Sequence, residues 1–154
     1  MPTRFYIVVV LFLFLISCDK NQVYFKEIKI ENSSWAYQDS IVFSWEMKDT
    51  TSAFDLLLHM HHNADMKYQN VYLNVKTKNP DQSEISNLLS LELFQPNGMS
   101  NGDCSRNQCE ALIPLQENIS FPQMGNYSLT LFQNSRDSLI TGIQSIALEL
   151  RRKK

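Results

Sequence analysis

The chain has 154 residues, with 14 lysines and arginines against 16 aspartates and glutamates, so its formal charge is −2. That balance supplies no basic face, and no nucleic-acid partner is expected. The length suits one domain with a real hydrophobic core, and none of the four glycines stands in a G-x-S-x-G nucleophile elbow.

At the N-terminus, Arg4 precedes an apolar run from Phe5 to Ile16. A membrane span needs about 20 apolar residues, so this shorter run reads as an export signal over residues 1–17. Leu15-Ile16-Ser17-Cys18 fits the bacterial lipobox, in which a small residue precedes a cysteine. In that chemistry the Cys18 thiol takes a diacylglycerol, the peptide is cut before Cys18, and the new amine is acylated. Each buried methylene contributes roughly 0.8 kcal/mol, so two or three chains hold a protein firmly at a membrane. An ordinary export signal with an unmodified cysteine is the alternative. Residues 18–22 then form a short polar tether, residues 23–150 the folded domain, and residues 151–154, "RRKK", a basic tail expected to be solvated and frayed. Loss of residues 1–17 removes Arg4 alone among the charges, leaving 13 basic against 16 acidic side chains, about −3.

From residue 23 onward the apolar pattern has period two, the mark of half-buried strands. "VYFKEIKI" opens the series, and "NSSWAYQDS" after it reads as a loop. "SIVFSWEM" sets Ile41, Phe43, Trp45 and Met47 on one face, and "FDLLLHM" sets Phe54, Leu56, Leu58 and Met60 against Asp55, Leu57 and His59. Further on, Val71, Leu73 and Val75 share a face, as do Leu89, Leu91 and Leu93. "ALIPL" at 111–115, "NYSLTLF" and "SIALEL" complete the set. Turn-forming segments separate these runs, and the stretch from Asn134 to Gly142 is expected to hold a turn or a helical turn. About eight antiparallel strands predict an all-β, two-sheet β-sandwich of jelly-roll type.

Cys104 and Cys109 are separated by four residues, with turn-forming residues before them. In an oxidising compartment they suit a disulfide at a hairpin tip. The alternative is a C-x4-C metal half-site, for which no second Cys or His pair stands nearby. His59 and His61 share one strand face, with Asp65 in the turn that follows. They are weak candidates for a surface Zn or Cu site, against the plainer reading of three exposed histidines, His62 included, at a strand end. Trp35 and Tyr37 are candidates for stacking on a sugar, against a loop-capping role; Trp45, in phase with the core positions, belongs to packing. Glu27, Glu31, Asp39, Glu46, Asp49 and Asp55 are scattered over strand ends, so no hydrolase is expected.

Two longer stretches carry a family pattern. In "LLLHMHHNADMKYQNVYLNV" an extended strand leads into Asp65, Lys67, Tyr68, Asn70 and Tyr72. In "MGNYSLTLFQNSRDSLITGIQSIALEL" the fitting positions are Gly125, Tyr127, Gln133, Arg136, Asp137, Leu139, Gly142 and Ile143. With the lipobox, Asp19, Trp35 and Phe43, the chain resembles the GldH family of gliding-motility lipoproteins over nearly its whole mature length. It departs at His61 and His62, where an arginine and a polar residue are expected, at Met66, where an aromatic is usual, and in the cysteine pair. The resemblance implies a non-enzymatic lipoprotein of the Bacteroidetes envelope, without cofactor, needed for gliding linked to type IX secretion. Its implied partners are a membrane, through the lipid, and other gliding or envelope proteins. The outer membrane is the favoured location; the inner membrane is the alternative, depending on how sorting reads Asp19. Arg136 and Asp137 then become partner-contact candidates together with Tyr68 and Asn70; the other reading of Arg136 and Asp137 is a buried pair bracing their loop. A carbohydrate-binding lipoprotein using Trp35 and Tyr37 is the alternative function. In such a host, the Asp-Ser/Thr matches at Ser40 and Thr50 become candidate O-glycan sites.

Overall fold

A computed structural model describes residues 21–153. The export signal over 1–17, Cys18 and most of the tether lie outside the described residues. The strands are β1 (Gln22–Lys29), β2 (Ser34–Ala36), β3 (Ser40–Met47), β4 (Phe54–Asn63), β5 (Asn70–Lys78), β6 (Glu84–Glu92), β7 (Asp103–Ser105), β8 (Gln108–Ile119), β9 (Gly125–Gln133), β10 (Leu139–Thr141) and β11 (Ile143–Arg152). One sheet runs β1-β11-β4-β8-β7, the other β3-β9-β5-β6, and β2 pairs with β10 in a small ribbon. The long strands are the ones whose alternation the sequence displays. Numbered by themselves they run 1-8-3-6 in one sheet and 2-7-4-5 in the other, the order of a jelly roll.

The alternation arises because each sheet faces the other across one core. Ile41, Phe43, Trp45 and Met47 of β3, Leu56, Leu58 and Met60 of β4, and Val71, Leu73 and Val75 of β5 are all buried. Each such side chain contributes about 1.5–3 kcal/mol on burial. Trp45 lies parallel to Tyr127 with ring centroids 6.1 Å apart, and Phe121 meets it edge-on at 6.2 Å, the packing role its phase predicts.

Three elements differ from the sequence reading. The stretch from Asn134 to Gly142 holds a third short strand, β10, rather than a helical turn. Its Ile140 sits opposite Trp35 of β2, so Trp35 belongs to a strand and is 2% exposed. Arg151 and Arg152 are not a frayed tail but the last rungs of β11, opposite Asp55 and Phe54. Arg152 also lies 2.9 Å from Asp49, and Lys153 donates its backbone N–H to Ala53.

The sandwich has two poles. The start of β1 pairs with the end of β11, Gln22 opposite Arg151, and Phe54 of β4 stands opposite Ile119 of β8. Loops 48–53 and 120–124 close this pole. At the other lie the ends of β4 and β9, the start of β5, the β2–β10 ribbon and the β7–β8 hairpin. Ten-residue strands put the poles about 30 Å apart.

Candidate functional site

The segment between β4 and β5 is folded tightly at the second pole. Ala64 donates to the Asn107 carbonyl and Met66 to that of Asn63. Met66 is buried, and it packs where Gly142 offers no side chain: a Cβ there would stand 3.1 Å from Met66 Cγ. Gly142 also has φ +101°, a conformation L side chains rarely adopt. Beside buried Met66, Lys67 is exposed, while Tyr68 is half-buried against the core with its hydroxyl at the surface. The Tyr68 hydroxyl donates to Asp137 Oδ2 at 2.8 Å, with the Leu139 carbonyl at 3.4 Å. Lys67 Nζ lies 4.8 Å above the Tyr68 ring and 3.9 Å from Asp137. Contact with Tyr68 first, and Asp137 second, raises the Lys67 ammonium above its ordinary value.

The facing wall is the loop from Asn134 to Ser138. Gln133, 1% exposed, holds it from beneath: its Nε2 donates to the Asp137 carbonyl at 3.1 Å, and its Oε1 accepts from the Ser135 N–H at 2.9 Å. Asn134 N–H donates to the Tyr72 carbonyl at 2.7 Å. Between these walls lies a groove of about 510 Å³ lined by Tyr68, Asn70, Tyr72, Asn134, Ser135, Arg136 and Asp137.

Two groups in the groove are unspent. Arg136 is exposed and makes no hydrogen bond or ion pair among the described residues. The Asn70 amide oxygen is buried and has no hydrogen-bond partner among them. The four contact candidates thus meet in one place, but Arg136 and Asp137 do not form a bracing pair. Asp137 is held by Tyr68, and the loop by Gln133. Tyr72, Asn134 and Ser135 complete the lining without having been assigned a role from sequence. Period two along β5 carries the signal for Tyr72, since it shares the outward face with Asn70.

The other candidates fall elsewhere. Trp35, far from presenting a face to a sugar, is buried and donates its Nε1–H to the Asp39 carbonyl at 3.0 Å; Tyr37 remains exposed. His59 has both ring nitrogens committed, Nδ1 at 2.7 Å from Glu110 and Nε2 at 2.9 Å from Glu149. His61 does not join it, and among the described residues no group of three metal-ligating side chains is assembled. The histidines are not three exposed groups: His62 is fully buried, edge-on to Phe94. Cys104 and Cys109 stand directly opposite each other across the β7–β8 hairpin and are joined as a disulfide. Ser40 is exposed at the start of β3, whereas Thr50 is half-buried in a turn that Asp49 caps through the Thr51 and Ser52 N–H groups.

A family model described as GldH lipoprotein matches residues 22–150. A protein named "Gliding motility lipoprotein GldH homolog" from Christiangramia forsetii is 31% identical over 144 residues, covering 90% of this chain and 87% of its own. "Gliding motility lipoprotein GldH" from Flavobacterium johnsoniae is 25% identical over 135 residues, covering 87% of this chain and 83% of its own. Among solved structures, that of the infectious bursal disease virus Gt strain is similar over 87% of this chain and 34% of its own, at 12% identity and a TM-score of 0.38.

Proposed function

Because the chain belongs to the GldH lipoprotein family, we propose that it is a non-enzymatic, lipid-anchored envelope protein that supports gliding motility linked to type IX secretion. Its contact with another envelope protein is made by the groove of Tyr68, Asn70, Arg136 and Asp137. The observation that carries this reading is the meeting of those four side chains, with an unpartnered guanidinium among them, at the pole away from the N-terminus. Cys18 lies four residues before Gln22, and such a stretch spans at most about 14 Å. An acylated Cys18 therefore holds the first pole near lipid and presents the groove outward. The outer membrane is the membrane we assign.

The test uses Arg136→Ala in the native host. An exposed charge contributes about 0–1 kcal/mol to stability, so the variant should fold, reach the membrane fraction at wild-type abundance and fail to support gliding. Gliding at wild-type speed would overturn the assignment of the groove. Unchanged membrane fractionation and processing in Cys18→Ser would overturn the anchor.

A further inference from the structure

The seam between the two sheets is closed on one side and open on the other. On the closed side β3 keeps every inward side chain buried, and Tyr24 of β1 covers the gap, 5.7 Å from the Trp45 ring. On the open side β6 pairs with β5 through an unbroken register, Asn70 opposite Glu92 through to Lys78 opposite Glu84, and among the described residues has no strand on its other flank. Opposite buried Val75 stands Asn87, and opposite Thr77 stands Ile85, so both face the core side. Yet Asn87 is exposed and Ile85 is 55% exposed. Beside them a cleft of about 270 Å³ is lined by Leu56, Val75, Leu89, Leu115 and Leu129.

The long edges of the other sheet are guarded. β8 carries Pro114 and two register breaks, and β1 carries Lys26, Glu27, Lys29 and a bulge. β6 has neither proline nor bulge, and its only charges are Glu84 and Glu92 at its ends. We infer that an extended segment of a partner protein adds to β6 as a further strand, with alternate apolar side chains filling the cleft. Backbone hydrogen bonds would supply affinity and the cleft selectivity, the two parts of strand addition. A second copy is a poor occupant: β6 paired antiparallel with itself about Leu88 sets Glu84 against Glu92 at both ends, and like charges opposite each other destabilise. The fitting segment carries basic side chains there; Glu84 is already 3.4 Å from Lys76. The chain's own N-terminus enters on β1, at the far edge of the other sheet.

A nonapeptide probe, Lys-Val-Thr-Val-Ser-Val-Thr-Val-Lys, tests this on the full chain in detergent. Hydrogen exchange in residues 85–91 should slow about tenfold with peptide bound, while exchange in β1 stays unchanged. Asn87→Lys, an inward-pointing charge at an exposed position, should abolish the protection without unfolding the protein. No slowing, or slowing that survives Asn87→Lys, overturns the inference. In the host, a photocrosslinker at Asn87 should trap a segment whose sequence alternates apolar residues and ends in basic ones. Trapping β6 of another copy, or nothing, overturns it. Arg136→Ala should leave both results intact, which separates this edge from the groove.

Discussion

His62 shows how one side chain links phase, burial and pH. Phe54, Leu56, Leu58 and Met60 fix the inward phase of β4, and His62 continues it, so its core position was legible in the sequence even though its neighbours drew it into an exposed cluster. Its Nδ1–H donates to the Asn63 carbonyl at 3.0 Å, and its Nε2 is buried without a hydrogen-bond partner among the described residues. Burial first, and His61 in addition, hold its imidazole below the ordinary histidine value of 6.5. As pH falls the unfolded chain takes up this proton first, so the stability His62 permits is present above about 6.5 and is lost as pH drops through the folded value. Urea midpoints measured from pH 8 to pH 5 should decline, and His62→Leu should flatten the decline. Glu149 had no such signal. It sits on the outward face of β11 and would be expected in water, yet it is 2% exposed because Arg151 and His59 both donate to it. Removing His59 leaves that buried carboxylate with fewer partners, so His59→Ala should cost about 1–3 kcal/mol by chemical denaturation.

At the scale of elements, the long strands could be read because each has one apolar and one polar face. The short ones could not. β2 and β10 are three residues each, too short for a period, and they exist only because segments far apart in sequence, such as Trp35 and Ile140, are brought together at one pole. That is why Trp35 read as a loop aromatic. Gly142, just past β10, permits both the turn and the seat of Met66. Gly142→Ala should lower stability by more than about 1 kcal/mol and loosen the Tyr68 wall, seen as faster amide exchange in residues 64–69. The C-terminal basic residues were read as solvated because a charge run usually is. Here Arg151 and Arg152 pair with Glu149 and Asp49, and Asp49 is held well below the usual carboxylate range by Ser52 and Thr51. Deleting residues 151–154 should therefore lower the thermal midpoint by several degrees, whereas a frayed tail would leave it unchanged.

For the whole molecule, the jelly roll sorts its features along one axis. The first pole holds the entry of the chain and loops 48–53 and 120–124; the second holds the groove and the disulfide hairpin. In vesicles carrying the acylated protein, a fluorophore at Met124→Cys should be quenched by bilayer-embedded quenchers. One at Arg136→Cys, about 30 Å farther along the strands, should not. The antiparallel pairing of β1 with β11 has a mechanical consequence. Tension between a tethered N-terminus and a partner gripping the opposite pole would run parallel to the strands. Seven residue pairs, Gln22–Arg151 to Lys29–Ser145, would then resist together in shear instead of peeling apart one by one, a geometry fit for a protein pulled from both ends.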